Sequence, residues 1–338
     1  MQNILVVFTG GTIGSTVNAG TIDTSDAARY QLLHLFQQHD AHPEDLHFHC
    51  IQPLQLLSEN LAPPAWQTLI SAIEAETVEN YDGIIITHGT DTLAYTACAL
   101  SFYFHALTIP MLLVSSDYPL NDERANGVSN FSCAVEFIRQ HQPAGVFVPY
   151  RNSQQTMQVH QGTRLTCSLQ ISSDFFSVQN KAFMQFENGR FTVCNPTQKT
   201  ARKSTTPLKA QFSSRILMIK PYPSLNYSNV DLQSVDAVLH DLYHSGTACA
   251  TTQWGEPHSL VAFIERCNAE NIRVYLAPAI HSENAYQSTR ELIEHGAIML
   301  WNLSIEAAFV KLLLAYGNFN NVPHIIDFMN MTVADEHS

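Results

Sequence analysis

The sequence predicts an α/β protein. It has a larger N-terminal domain, built on a mostly parallel sheet flanked by helices, and a smaller C-terminal α/β domain. Three observations carry this. Short apolar runs alternate with segments of helical period through most of the chain. Two of those runs, Ile4-Leu5-Val6-Val7-Phe8 and Ile84-Ile85-Ile86, lead directly into small-residue loops, as strands do at the ligand-binding end of a parallel sheet. A polar, basic stretch over residues 196–210 then interrupts the alternation before it resumes.

Taken in order, residues 4–8 read as a strand and 27–38 as a helix, with apolar positions at Tyr30, Leu33, Leu35 and Phe36. Residues 47–51 read as a strand. Residues 65–79 read as an amphipathic helix that follows Pro63-Pro64 and carries Trp66, Leu69, Ile70 and Ile73 on one side. Then come a strand at 83–87, a helix at 93–104, a strand at 111–115, a helix at 127–139 and a strand at 145–149. This βαβ succession assigns residues 1–195 to the first domain, 196–210 to a linker and 211–338 to the second domain. In the second domain, 216–219, 237–242 and 273–276 read as strands, and 259–269 and 304–314 as helices.

Composition narrows the class of function. The chain has 338 residues, 45% hydrophobic and only 14% charged, which is the balance of a globular protein with a real core. Its formal net charge of −13 argues against a nucleic-acid backbone or an anionic membrane as the main partner. No stretch approaches the roughly 18 apolar residues of a membrane span. The N-terminal apolar run has no basic residue before it and reads as a strand rather than a signal peptide. Seven cysteines without paired spacing fit reduced thiols in the cytoplasm.

The first loop is Thr9-Gly10-Gly11-Thr12-Ile13-Gly14-Ser15. It lacks the lysine of a P-loop and the glycine spacing of a dinucleotide site. Thr12 places a hydroxyl inside a glycine turn, where a ligand can approach and backbone N–H groups can meet a developing oxyanion. The second loop is His88-Gly89-Thr90-Asp91-Thr92. Here Asp91 can hold an ammonium group and Thr90 can position a water, and the competing reading is a helix N-cap supplied by Thr90 or Asp91. His240-Asp241-Leu242-Tyr243-His244 has the spacing of a zinc helix, but its neighbours read as strand followed by loop. His47 and His49 share a strand face beside Cys50 and, in a chain with 16 histidines, read as a chance pair rather than a metal site. No metal site or cofactor is expected, and no G-x-S-x-G nucleophile elbow occurs.

At these two loops the chain resembles the L-asparaginase family. Val6-Val7-Phe8-Thr9-Gly10-Gly11-Thr12-Ile13-Gly14 and His88 to Thr92 match its two signatures, about 80 residues apart. The surroundings Leu93-Ala94-Tyr95-Thr96-Ala97 are similar to the bacterial cytoplasmic (type I) branch, and the likeness runs on through Pro119-Leu120, Arg124, Gly127 and Asn130. The resemblance implies an amidohydrolase in which Thr12 attacks a side-chain amide and forms a β-aspartyl ester. It places Thr90 and Asp91 in a second catalytic cluster, with Asp91 also holding the substrate ammonium. It assigns the substrate carboxylate to Ser58, lines the pocket with Gly11 and Gly89, and leaves Glu59 able to hold a cationic group. A homodimer or homotetramer acting on a small amide or amino acid is implied in the same way.

Three positions depart from the family's pattern. The lysine of its Gly-Asn-Arg-Thr-Thr-Lys-like segment corresponds to Cys167, in Gly162-Thr163-Arg164-Leu165-Thr166-Cys167. The tyrosine of its N-terminal loop corresponds to Thr21, and its Gly-x-Gly-Asn turn to Ser245-Gly246-Thr247. The segment after 273–276 is also shorter than in type I relatives. A thiol of ordinary pKa about 8.5 supplies neither the charge nor much of the basicity of an amine. Losing a positioned acid–base group typically costs about 10²–10⁴ in rate. Three readings follow: hydrolysis of asparagine or a related small amide; acyl transfer or processing of a modified amide; or amino-acid binding without catalysis. A component of a tRNA-dependent amidotransferase belongs to the wider family, and the acidity and N-terminus of the chain count against it.

Overall fold

A computed structural model describes the chain except residues 12, 14, 19, 20, 25, 170, 197–206 and 338, and except the side chains of residues 14–30. Most of the expected linker therefore lies outside the described residues. The chain divides into two compact units, Met1–Ala210 with Val333–Asp335, and Gln211–Thr332 with Glu336–Ser338.

The first unit is built on an eight-stranded sheet. Strands β1 (Gln2–Phe8), β4 (Leu46–Ile51), β5 (Gly83–Thr87), β6 (Pro110–Val114) and β7 (Gly145–Tyr150) run parallel. Strands β8 (Met157–Gln161), β9 (Met184–Glu187) and β10 (Arg190–Val193) extend it antiparallel, in the order β10-β9-β8-β7-β6-β5-β1-β4. A hairpin of β2 (Ser15–Asn18) and β3 (Thr21–Thr24) stands apart from this sheet. The helices are α1 (Asp26–His39), α2 (Pro63–Glu74), α3 (Leu93–Tyr103) and α4 (Gly127–Arg139). Strands buried on both faces read as unbroken apolar runs, and β1, β5 and β6 do so because helices cover them. Ile4, Val6 and Phe8 face a core shared with Leu32 and Phe36 of α1 and Phe131 of α4.

The connectivity places the ligand end. The chain leaves β1 toward β4 on one side and then passes to β5 on the other. The carboxyl ends of β1 and β5 therefore flank a topological switch point, where open parallel sheets bind their ligands.

In the second unit, β11 (Ile216–Ile219), β12 (Ala237–Asp241), β13 (Arg273–Ala279) and β14 (Ile298–Trp301) form a parallel sheet in sequence order. Residues of α5 (Leu260–Ala269) and α6 (Gln287–Glu294) share one core cluster with it, while α7 (Ile305–Asn318) packs on β11 to β13 and on α8 (Val322–Asn330). No helix among the described residues is long and apolar enough to cross a membrane.

Several elements differ from the sequence expectation. The helix expected over 65–79 ends at Glu74, and a 3-10 turn occupies Val78–Asn80. Strands β8 to β10 and β14, and helices α6 and α8, carry too few residues of clear period to stand out in the sequence.

Buried in the second unit, Lys311 reaches Glu336 at 2.5 Å, with both side chains fully enclosed. Its ammonium also donates to the carbonyl oxygens of Met329 (3.1 Å) and Met331 (2.5 Å). Burial pulls the lysine pKa below its usual value, and Glu336 opposes that shift. Glu336→Gln should cost about 3–5 kcal/mol in urea unfolding, whereas replacing both partners with well-fitting apolar residues should cost far less. Equal losses in the two variants would show that the charge pairing is not what stabilises this tail.

Candidate active site

The two loops meet at the carboxyl ends of β1 and β5. Thr9, the first residue after β1, donates its hydroxyl to Thr87 O at 2.6 Å. Its own carbonyl accepts from Leu56 N (3.0 Å), and Gly11 N donates to Leu56 O (3.1 Å). The first loop is thus stitched to the segment beyond β4. Gly11 has φ +78°, and a Cβ there would lie 2.3 Å from Gly89 N and 2.5 Å from Gly89 Cα. At Gly89 a Cβ would lie 2.3 Å from Ser58 Oγ. Three chain segments therefore converge through glycine backbone with no room for a methyl group.

Ser58 opens a 3-10 turn, Ser58–Asn60, and is itself buried. Its hydroxyl donates to Asp91 Oδ2 (3.1 Å) and accepts from Asp91 N (3.2 Å), while its carbonyl accepts from Thr92 Oγ1 (3.0 Å). Asp91 is exposed, and one of its carboxylate oxygens is held by Ser58. Glu59 is the exposed next residue of the same turn.

Below the loop lies a polar relay that the sequence did not single out. Trp66 Nε1 donates to Thr96 Oγ1 (2.9 Å), which also meets His88 Nε2 (2.9 Å), and His88 Nδ1 lies 2.7 Å from Gly89 O. A carbonyl only accepts, so Nδ1 carries the hydrogen, and in the neutral ring Nε2 accepts from Thr96. Burial holds the His88 pKa down to about 4, against the weaker pull of Gly89 O and Asp91. The imidazole is therefore neutral near pH 7. It serves as a strut that orients Gly89 rather than as an acid or base. Trp66 read in sequence only as a helix residue and Thr96 only as part of the Leu93–Ala97 likeness, with no role; His88 carried the clearer signal, as the first residue of its motif.

The structure thus brings Gly11, Ser58, Gly89 and Asp91 together, with Thr90 between the last two. The N-cap alternative is not met: Thr92 is the cap residue of α3, and no side chain makes a capping hydrogen bond there. Thr12 lies outside the described residues, directly after Gly11. Thr21 falls in β3, and its side chain is outside the described part of the chain. Cys167 is half-buried, two residues beyond Leu165, which bridges Ser177. Its segment begins on α3: a Cβ at Gly162 would lie 2.5 Å from Ser101 Oγ, and Cys98 Sγ lies 3.6 Å from Gly162 O.

The decoys resolve as surface and core. His240 is buried at β12 between Tyr227 OH (2.8 Å) and Asp241 O, whereas His244 is exposed in the following turn. His47 and His49 are exposed on β4.

A family profile described as "Asparaginase, N-terminal" matches residues 3–198. The chain belongs to the asparaginase family. Among its curated relatives are two archaeal proteins named as subunits of glutamyl-tRNA(Gln) amidotransferase. That of Methanosphaera stadtmanae is 26% identical over 99% of this chain and 76% of its own length. That of Methanococcus maripaludis is 28% identical over 99% of this chain and 81% of its own. Among solved structures, L-asparaginase I from Vibrio cholerae superposes with TM-score 0.79 at 25% identity, covering 100% of this chain and 99% of that one. The thermostable L-asparaginase from Thermococcus kodakarensis gives TM-score 0.82 at 23% identity, covering 99% of both chains, a likeness of fold. Membership makes this an amidohydrolase-type fold; the substrate is a separate question.

The glycine contacts and the buried histidines can each be tested. Gly11→Ala meets backbone that cannot turn aside, so it should be destabilising by about 1–3 kcal/mol and should abolish any ligand binding at the two loops. Gly89→Ala meets the Ser58 side chain and should weaken binding with a smaller loss of stability. Calorimetric melting and ligand titration of both variants separate the two effects. The pKa values of His88, His160 and His240 are each held down to about 4 by burial, against about 6.5 in an unfolded chain. Between these values the unfolded state binds more protons, so stability is full above pH 6.5 and falls as pH drops toward 4. The urea midpoint should decline over that window, and His88→Gln should flatten part of the decline.

Proposed function

We propose that this chain hydrolyses the side-chain amide of L-asparagine or a related small amide, with release of ammonia. The observation that carries the reading is the Ser58–Asp91 clasp, set at the carboxyl ends of β1 and β5 beside the Gly11–Gly89 contact. An exposed carboxylate beside a serine hydroxyl suits the ammonium and carboxylate of an α-amino acid.

In the proposed reaction, Thr12 Oγ attacks the amide carbon. Its proton passes to the departing nitrogen, the C–N bond breaks and ammonia leaves. Water positioned by Thr90 then attacks the ester carbon, and a proton returns to Thr12 as the acid is released. Gly11 and Gly89 let the loop backbone come close to the substrate. When substrate binds, the Ser58 hydroxyl turns its hydrogen from Asp91 to the α-carboxylate, and Asp91, with Glu59 beside it, holds the ammonium. Cys167 and Thr21 stand where the family has a lysine and a tyrosine, so activation of Thr12 and Thr90 rests on fewer charged partners. A slower or altered reaction is the consequence.

That departure supports a second reading, in which the pocket binds an amino acid and passes its acyl group to another amine or does no chemistry. The relatives named as amidotransferase subunits support a third reading, in which the released ammonia is delivered to a transfer reaction. The chain's net charge of −13 weighs against direct grip on a tRNA backbone by this chain.

Ammonia release should be followed across asparagine, glutamine and simple amides. Thr12→Ala should reduce any activity by at least about 10²-fold, and undiminished turnover in that variant would overturn the threonine mechanism. Cys167→Lys should raise asparagine turnover. If the wild-type chain is silent while aspartate still raises its melting temperature, the binding reading replaces the hydrolytic one.

A further inference from the structure

A cavity of about 410 Å³ opens beyond the carboxyl ends of β6 and β7. That is the size of a small-molecule site. Strand β6 lies between β5 and β7, so at one strand spacing each the cavity stands roughly 10 Å along the sheet from the loop after β5. None of its lining residues belongs to the clasp described above.

Its walls are fixed by paired polar contacts. Asp117 Oδ1 accepts from the backbone N–H of Tyr118 and of Asn126, both at 2.9 Å, and Asn126 Oδ1 accepts from Asp117 N at 3.0 Å. The buried Asn152 exchanges two hydrogen bonds with the backbone of Phe175, at 2.8 and 2.9 Å. Arg124 is already committed: it forms a two-pronged pair with Asp122, at 2.9 and 2.7 Å, and lies 4.0 Å from the centre of the Tyr118 ring.

Arg151 is different. Its backbone is clamped on both sides, with N donating to Asn130 Oδ1 and O accepting from Asn126 Nδ2, each at 2.9 Å. Its side chain is exposed, and among the described residues no carboxylate pairs with the guanidinium. In a chain with 17 basic and 30 acidic residues, a rooted but unpaired arginine in a polar cavity is an unspent anion receptor. Asp117 on the same wall disfavours a dianion and favours a monoanion that also carries hydrogen-bond donors.

We propose that this cavity is a carboxylate-binding subsite in which Arg151 grips the carboxylate of a small hydroxy- or amino-acid group, and Asp117 receives that group's donors. The carboxylate has two sources: the distal end of an extended amide held at the candidate active site, or a separate free acid.

Glycerate is a suitable probe, with its neutral amide, glyceramide, as the control. Titration calorimetry on the full chain at low ionic strength should show glycerate binding and no binding of glyceramide. Arg151→Gln, a change at an exposed side chain, should weaken glycerate binding by about tenfold or more. Asp91→Asn should leave it intact, which distinguishes this subsite from the clasp without any need for turnover. Aspartate then assigns the source. Independent binding of glycerate and aspartate identifies a free acid, and mutual exclusion that still requires Arg151 identifies the tail of one extended ligand. Unchanged affinity in Arg151→Gln, equal binding of glyceramide, or loss of glycerate binding in Asp91→Asn would each overturn the proposal.

Discussion

The contact between the Gly11 and Gly89 backbones is the constraint on which the site depends. A parallel sheet brings the ends of neighbouring strands within one strand spacing, about 4.8 Å, and any loop that crosses that gap competes with its neighbour for space. Here both loops yield by losing their side chains, so backbone meets backbone, and Ser58 enters the remaining gap. The hydrogen bonds that join Ser58 with Asp91 and Thr92, one donated by Ser58 and two accepted by it, follow from that approach rather than causing it. A single methyl group on either glycine would separate the three segments that make the clasp.

Two buried polar clusters are built in opposite ways, one neutral and one charged. Beneath the site, Trp66, Thr96 and His88 form a chain in which every donor has an acceptor, and burial keeps the imidazole uncharged. Such a relay stiffens a loop without placing a charge beside the substrate. In the second unit the opposite solution occurs, with Lys311 and Glu336 enclosed together and the ammonium's other hydrogens on backbone carbonyls. A buried pair of this kind is weak as net stabilisation but strict in geometry, since each partner excludes any arrangement that strands the other. It holds the chain just beyond Val333–Asp335, the residues that return to the first unit and accept from Thr163 and Arg164.

Periodicity made most of the α/β alternation legible, because strands enclosed on both faces and helices with one apolar side leave unmistakable patterns. Helix α4 and strand β5 stand at the residues their patterns mark, whereas α2 stops five residues early, at Glu74, where the apolar spacing has already run out. The antiparallel extension β8 to β10 was not legible. Its strands are only four or five residues long, and they owe their conformation to successive pairing, β8 on β7, β9 on β8 and β10 on β9, rather than to their own residues. Asp91 and Gly89 were visible as part of a motif. Trp66 and Thr96 were not, since a helix residue that hydrogen-bonds across the core looks in sequence like one that merely packs.

The residues alone determined the class of fold and the two glycine–threonine loops, because each is written in local spacing and identity. Only tertiary structure decided that Ser58 fastens Asp91, that His88 is a neutral strut, and that Arg151, beside a polar cavity, meets no carboxylate among the described residues. Those outcomes turn on which distant segments share a few ångströms and on how much water reaches them. Neither quantity is encoded by the neighbours of a residue along the chain.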